Sequence, residues 1–64
     1  MAEVRIVASN DRVKRRFDSA LDPDDAVGAR ALLEHWSKKL GLPNARLEVY
    51  DRRCRCRRSY DRHS

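Results

Sequence analysis

Cys54 and Cys56, with His63 a few residues beyond, are the first side chains of this sequence whose types suggest chemistry. Two thiolates and an imidazole would supply three ligands of a tetrahedral zinc site. The fourth would have to be His35 or a carboxylate, and His35 falls opposite the Leu33/Trp36 stripe of its own segment. A single Cys-x-Cys also lacks the second pair that defines zinc ribbons. Two reduced thiols are the simpler reading, since an extended Cys-x-Cys separates the Cα atoms by ~6.6 Å, near the limit for a bridge. Nucleophilic catalysis would need Cys54 with His63 as base and Asp61 as orienting acid. All three lie in a segment with no periodic apolar residues to hold a geometry. Asp22, Asp24 and Asp25 form a carboxylate cluster, but flanking Pro23 they read as a helix start. Gly28 and Gly41 are the only glycines, so no glycine-rich phosphate loop is present. The expectation is a non-enzyme with no metal and no cofactor.

The basic residues point elsewhere. In the 64-residue chain, positions 1–51 hold nine Lys/Arg and nine Asp/Glu, while positions 52–64 hold six Arg and one Asp, the source of the entire net charge of +5. Arginine outnumbers lysine twelve to three. Its planar fork suits phosphate or carboxylate recognition, although GC-rich coding raises arginine as well. A neutral body followed by a basic block reads as a fold with an interaction tail. The candidate phosphate contacts are Arg52, Arg53, Arg55, Arg57 and Arg58, with Arg12, Arg15 and Arg16 as a second patch. Tyr50 shares a strand face with Arg5 and Arg46, an arrangement that can stack bases; the plainer reading is a surface tyrosine beside an Arg5–Glu48 cross-strand pair.

The elements that must position these groups follow from periodicity. Glu3 to Ser9 alternates as a half-buried strand. Over Asp11 to Leu21, the residues Val13, Phe17, Ala20 and Leu21 share one helical face, with Arg12 and Arg15 opposite and Arg16 on the flank. Asp11/Arg15 and Lys14/Asp18 would be i,i+4 pairs. The competing reading is a hairpin turning at Asn10-Asp11, with Arg12–Phe17 as its second strand; the longer helical spacing favours the helix. A second helix starts at an Asp22 N-cap with Pro23 in its first turn and runs to about Leu40, where Lys38, Lys39, Gly41 and Pro43 stop it. Gly28 inside it costs ~1 kcal/mol against Ala. Ala45 to Tyr50 alternates again and ends there, because a continued strand would bury Asp51, Arg53 and Arg55. Residues 52–64 show no periodicity and should not pack. No segment repeats another.

The expected fold class is therefore α+β: a β-α-α-β domain over 1–51, a two-helix hairpin on a short antiparallel strand pair, with a basic tail over 52–64. Its core is Val4, Ile6, Val13, Phe17, Leu21, Leu32, Leu33, Trp36, Leu40, Leu47 and Val49, with Trp36 as hub. A two-stranded sheet is weak alone, and its free edges invite a homodimer with a four-stranded sheet. The order strand, helix, helix over residues 3–40 resembles that of ribbon-helix-helix repressors, in element order and in no motif. Two functions compete. One is a nucleic-acid-binding accessory or regulatory protein, its partner DNA or RNA. The other is a protein-interaction or inhibitor module, of the kind mobile elements encode, that meets an acidic protein or works through its sheet edge or helix face. The opening residues lack the apolar run of an export signal, and no stretch approaches a membrane span. The expected setting is the cytoplasm, without a membrane partner.

Overall fold

A computed structural model describes residues 1–62. The chain runs β1 (Ala2–Val7), β2 (Val13–Ser19), α1 (Ala26–Leu40), β3 (Arg46–Tyr50) and β4 (Cys56–Asp61). The four strands form one antiparallel sheet in the order β2-β1-β3-β4. The helix covers one face. Val4, Ile6, Leu47 and Val49 point into that contact with no exposed surface, and Ala29, Leu33, Ala45 and Tyr60 complete the core.

The β-α-α-β arrangement is corrected to β-β-α-β-β. Residues Asp11–Leu21 are not a helix. Val13–Ser19 is an edge strand, and the hairpin at Asn10-Asp11 is the reading that holds. Two causes decide it. Val4 and Ile6 are fully buried, which makes β1 a central strand, and such a strand must satisfy its backbone groups on both sides. The segment's Asp, Val, Phe and Ser residues are also poor helix formers. Phe17 then faces α1 and meets Trp36, with ring centroids 5.6 Å apart. Val13, expected in the core, is 48% exposed where β2 leaves the hairpin turn. Trp36 is half-buried at the margin between helix and sheet, and Leu33 is the buried hub. With one helix, the likeness to ribbon-helix-helix repressors lapses.

The second helix forms, with a later start. Asp25 is its N-cap, its side chain accepting from the Gly28 N–H at 2.9 Å. Asp22, the expected cap, instead accepts from the Asp24 N–H in a preceding turn. The helix ends as expected at Leu40. Gly41 adopts φ 65°, the left-handed conformation glycine enters without penalty, and the Leu42 N–H returns to the Ser37 carbonyl at 2.9 Å.

Within the expected tail, Cys56–Asp61 is a strand of the sheet. β3 does end at Tyr50, but the chain then reverses and returns as β4 against it. The expected boundary after residue 51 therefore falls inside a hairpin. An edge strand needs little apolar content, because its ladder to β3 satisfies one side of its backbone and one residue can anchor it. That residue is Tyr60, 8% exposed, whose hydroxyl donates to the Pro23 carbonyl ahead of the helix. Since one chain supplies four strands, the incomplete sheet that motivated a homodimer is gone.

The two hairpins also repeat one another. The pairs Ile6↔Arg15 and Val7↔Val13 recur as Val49↔Arg58 and Tyr50↔Cys56, each 43 residues further on. Each hairpin has a bulge at the same step, with Lys14 or Arg57 as the extra residue. Ala2, Arg12, Arg15 and Asp18 match Ala45, Arg55, Arg58 and Asp61, and Phe17 matches Tyr60. A pseudo-two-fold axis normal to the sheet passes through the Arg5↔Glu48 pair, exchanging Val4↔Val49 with Ile6↔Leu47. The expectation of no repeat is corrected.

Candidate nucleic-acid interface

Both hairpin turns have the same three-residue construction. In the second, the Asp51 N–H donates to the Arg55 carbonyl and the Cys54 N–H to the Asp51 carbonyl, both at 3.0 Å, with Cys54 left-handed at φ 60°. In the first, the Ala8 N–H donates to the Arg12 carbonyl and the Asp11 N–H to the Ala8 carbonyl, both at 2.9 Å, with Asp11 at φ 66°. The second turn has an added clamp. Asp51 Oδ1 accepts from the backbone N–H groups of Arg53 and Arg55 at 2.9 Å each, and Oδ2 meets Arg55 Nε at 3.3 Å. These bonds, the Arg55 N–H first, hold the Asp51 carboxyl below its ordinary value. The clamp leaves Arg52 and Arg53 exposed at the tip.

The sheet face away from the helix is neutralised internally. Glu3 pairs with Arg5 Nε at 2.5 Å. The Arg5 guanidinium sits 3.9 Å above the centre of the Tyr50 ring. The Tyr50 hydroxyl donates to Glu48 Oε1 at 2.7 Å, Glu48 Oε2 meets Arg46 Nε at 3.0 Å, and Arg46 reaches Asp11 at 2.9 Å. The Glu48 hydrogen bond is the main reason the Tyr50 hydroxyl is pushed above its ordinary value, and Glu48 likewise raises Arg46. The expected Arg5–Glu48 ion pair is absent among the described residues; Glu3 takes Arg5 instead. Tyr50 is thus capped by a cation on one side and committed to a carboxylate through its hydroxyl, so it offers no free stacking platform.

The eight expected contact residues do not form one patch. Arg12, Arg15 and Arg16 lie along the β2 edge, not on a helix, while Arg52, Arg53, Arg55, Arg57 and Arg58 lie on the β3–β4 turn and the β4 edge. The two edges are three strand spacings apart, about 14 Å. Arg55 is tied to Asp51, and Arg58 to Asp24 at 3.0 Å, which raises its pKa. Arg12, Arg15, Arg16, Arg52, Arg53 and Arg57 have no carboxylate within 4.0 Å among the described residues. Two cations were missed. Lys14 is the counterpart of Arg57 and stands beside Arg15 and Arg16; on a helix it would have been paired with Asp18. Lys39 lies 5.2 Å from the centre of the Trp36 ring, which Arg15 approaches to 5.4 Å. Only the strand assignment of β2 brings these three together.

Cys54 and Cys56 are free and exposed. Partial desolvation is the main reason the Cys56 thiol is pushed up, so it is poorly poised as a nucleophile. No group of three or more His, Cys, Asp or Glu side chains converges on a metal-sized site among the described residues. His63, the third candidate ligand, lies outside them. A shallow hollow of about 450 Å³, lined by Pro23, Asp24 and Arg55 to Arg58, lies between β4 and the helix approach. No helix among the described residues is long and apolar enough to cross a membrane. Compared with models of known protein families, with curated proteins and with solved structures, the chain matches none.

Proposed function

We propose that this is a small, non-enzymatic nucleic-acid-binding protein, accessory or regulatory in role, that contacts phosphates through the cations of its two hairpins. The observation that supports it most is the β3–β4 turn. Its carboxylate is spent on the turn's own backbone, so Arg52 and Arg53 stand at the tip with no acidic partner among the described residues. Charged residues and bulges on an edge strand have a structural use in preventing edge-to-edge pairing. That use accounts for Lys14 and Arg57; it does not account for two arginines at a turn tip, outside the ladder. The neutralised centre and the unpaired rim together make a surface whose excess charge is peripheral. Binding is electrostatic and largely independent of sequence. The setting that goes with this reading is the cytoplasm, with both thiols reduced.

The competing reading, a protein module that docks through a sheet edge, is disfavoured by the same cations, since both edges carry the residues that block strand addition. The test is a titration of labelled duplex DNA and single-stranded RNA with wild-type protein at two salt concentrations. A variant with Arg52, Arg53, Arg57, Arg12, Lys14 and Arg16 all changed to Ser is the control. The reading predicts tight binding at low salt, strong weakening at high salt, and near-complete loss in the variant. No binding by folded wild-type protein at low salt would overturn it.

A further inference from the structure

We propose that the nucleic acid bound is a double helix, specifically duplex DNA, and that each hairpin grips one of its two strands. The proposal rests on the phosphate-binding reading above and narrows its ligand. It is carried by the internal repeat. The second hairpin reproduces the first in turn construction and bulge position, and in three of its cation positions. Lys14 and Arg57 occupy the bulge and Arg12 and Arg55 close the turn. The axis that exchanges them is normal to the sheet and passes through Arg5 and Glu48. The two hairpins therefore place basic clusters in corresponding positions, on opposite edges and at opposite ends of the strands, although the clusters differ residue by residue: Arg52, Arg53 and Arg16 correspond to Ser9, Asn10 and Ser59.

A single phosphodiester strand has a direction and no two-fold axis. It would meet the two clusters in opposite senses and could match only one of them well. A duplex has two antiparallel backbones related by local two-fold axes that pass through its grooves. Symmetric proteins place their axis on such a dyad, so that each half meets the same arrangement of phosphates. The dimensions allow it. The edge strands lie about 14 Å apart and the clusters are also offset along the strands, so they span more than the ~12 Å width of the B-DNA major groove and stand over the backbones on its two sides. The middle of the sheet suits this placement. Its ion pairs are internally balanced and need no phosphate, and the Arg5–Tyr50 pair at the axis lies over the groove, away from the backbones. Asp18, without a cation within 4.0 Å among the described residues, and its counterpart Asp61 lie at the strand ends remote from the turn of their own hairpin. Like the three matched cation positions, they are placed symmetrically.

Two half-variants test the proposal. One changes Arg12, Lys14 and Arg16 to Ser; the other changes Arg52, Arg53 and Arg57 to Ser. None of the six is ion-paired among the described residues, so both should keep the wild-type circular dichroism and Trp36 fluorescence. Versions with lysine at the five arginine positions check that charge alone is being read. With three contacts per hairpin, wild-type binding to duplex DNA should weaken about 10³-fold for a fourfold rise in salt, and each half-variant only roughly 40-fold. The two half-variants should match, and single-stranded DNA of equal length should bind wild type with the shallower dependence. If one half-variant binds like wild type and the other not at all, the two-strand grip is wrong while nucleic-acid binding stands. Single strands whose binding to wild type weakened about 300-fold for the same rise in salt, the dependence of six contacts on a single strand, would have the same consequence. Absence of binding by wild type to any nucleic acid at low salt overturns both.

Discussion

Replacing Tyr60 probes whether the arginine-rich segment belongs to the fold. Its ring is 8% exposed in the core cluster, and its hydroxyl donates to the Pro23 carbonyl. Tyr60→Ala removes a buried aromatic, which costs ~3–5 kcal/mol. A domain of this length is stable by only ~3–10 kcal/mol, so the variant should be largely unfolded or close to it. Tyr60→Phe keeps the ring, as its counterpart Phe17 does, and loses one hydrogen bond worth about 1 kcal/mol. That corresponds to a fall in Tm of ~4–8 °C for a domain this small. Thermal and urea unfolding, followed by circular dichroism and Trp36 fluorescence, measures both. Arg52→Ser at the turn tip is the control and should change neither curve. If Tyr60→Ala melted at the wild-type temperature, β4 would not be part of the cooperative unit and the sheet assignment would be refuted.

Two further outcomes follow from local geometry. Gly28→Ala should destabilise, although Ala is favoured by ~1 kcal/mol in a helix interior. A Cβ there would lie 2.5 Å from Asp25 Oδ2 and 3.1 Å from Leu21 Cδ1, disturbing an N-cap worth about 1 kcal/mol; a rise in Tm would contradict this. Tyr50 should ionise above its ordinary value of 10.0, because its hydroxyl donates to Glu48. The folded value is raised, so this contribution to stability is fully present below pH 10 and is lost as pH rises through the folded value. The component missing from the 295 nm absorbance titration of Tyr50→Phe, relative to wild type, should therefore have its midpoint above 10; a midpoint at or below 10 would show that the Glu48 bond does not form.

Much of the interior was legible. β1, β3 and the C-terminal half of the helix have periods that only one element type satisfies, and Val4, Ile6, Leu33, Leu47 and Val49 lie in the core as their spacing requires. The two edge strands were not legible, for one shared physical reason. An edge strand is pinned by backbone hydrogen bonds to its neighbour and needs only one large inward residue, Phe17 in β2 and Tyr60 in β4. The remaining positions are mostly charged or polar, with cations at their centre, and read as a helix face in one case and as a tail in the other. The repeat was hidden for the same reason: what it preserves is register, bulge and turn, with four identical residues across the two hairpins. The arginines of the candidate interface were visible by composition. That they divide between two edges, and that Lys14 belongs with them, depends on long-range pairing that no local pattern encodes.

The central claim, that the peripheral cations of the two hairpins bind a polyanion, is tested most directly by backbone amide NMR during titration with duplex DNA at low salt. The account predicts shifts concentrated at residues 12–16 and 52–58, on both hairpins, reversed by added salt. The outward helix positions Val27, Arg30, Ala31 and Glu34 should stay still. Shifts confined to the helix, or no shifts at all in folded protein, would contradict it.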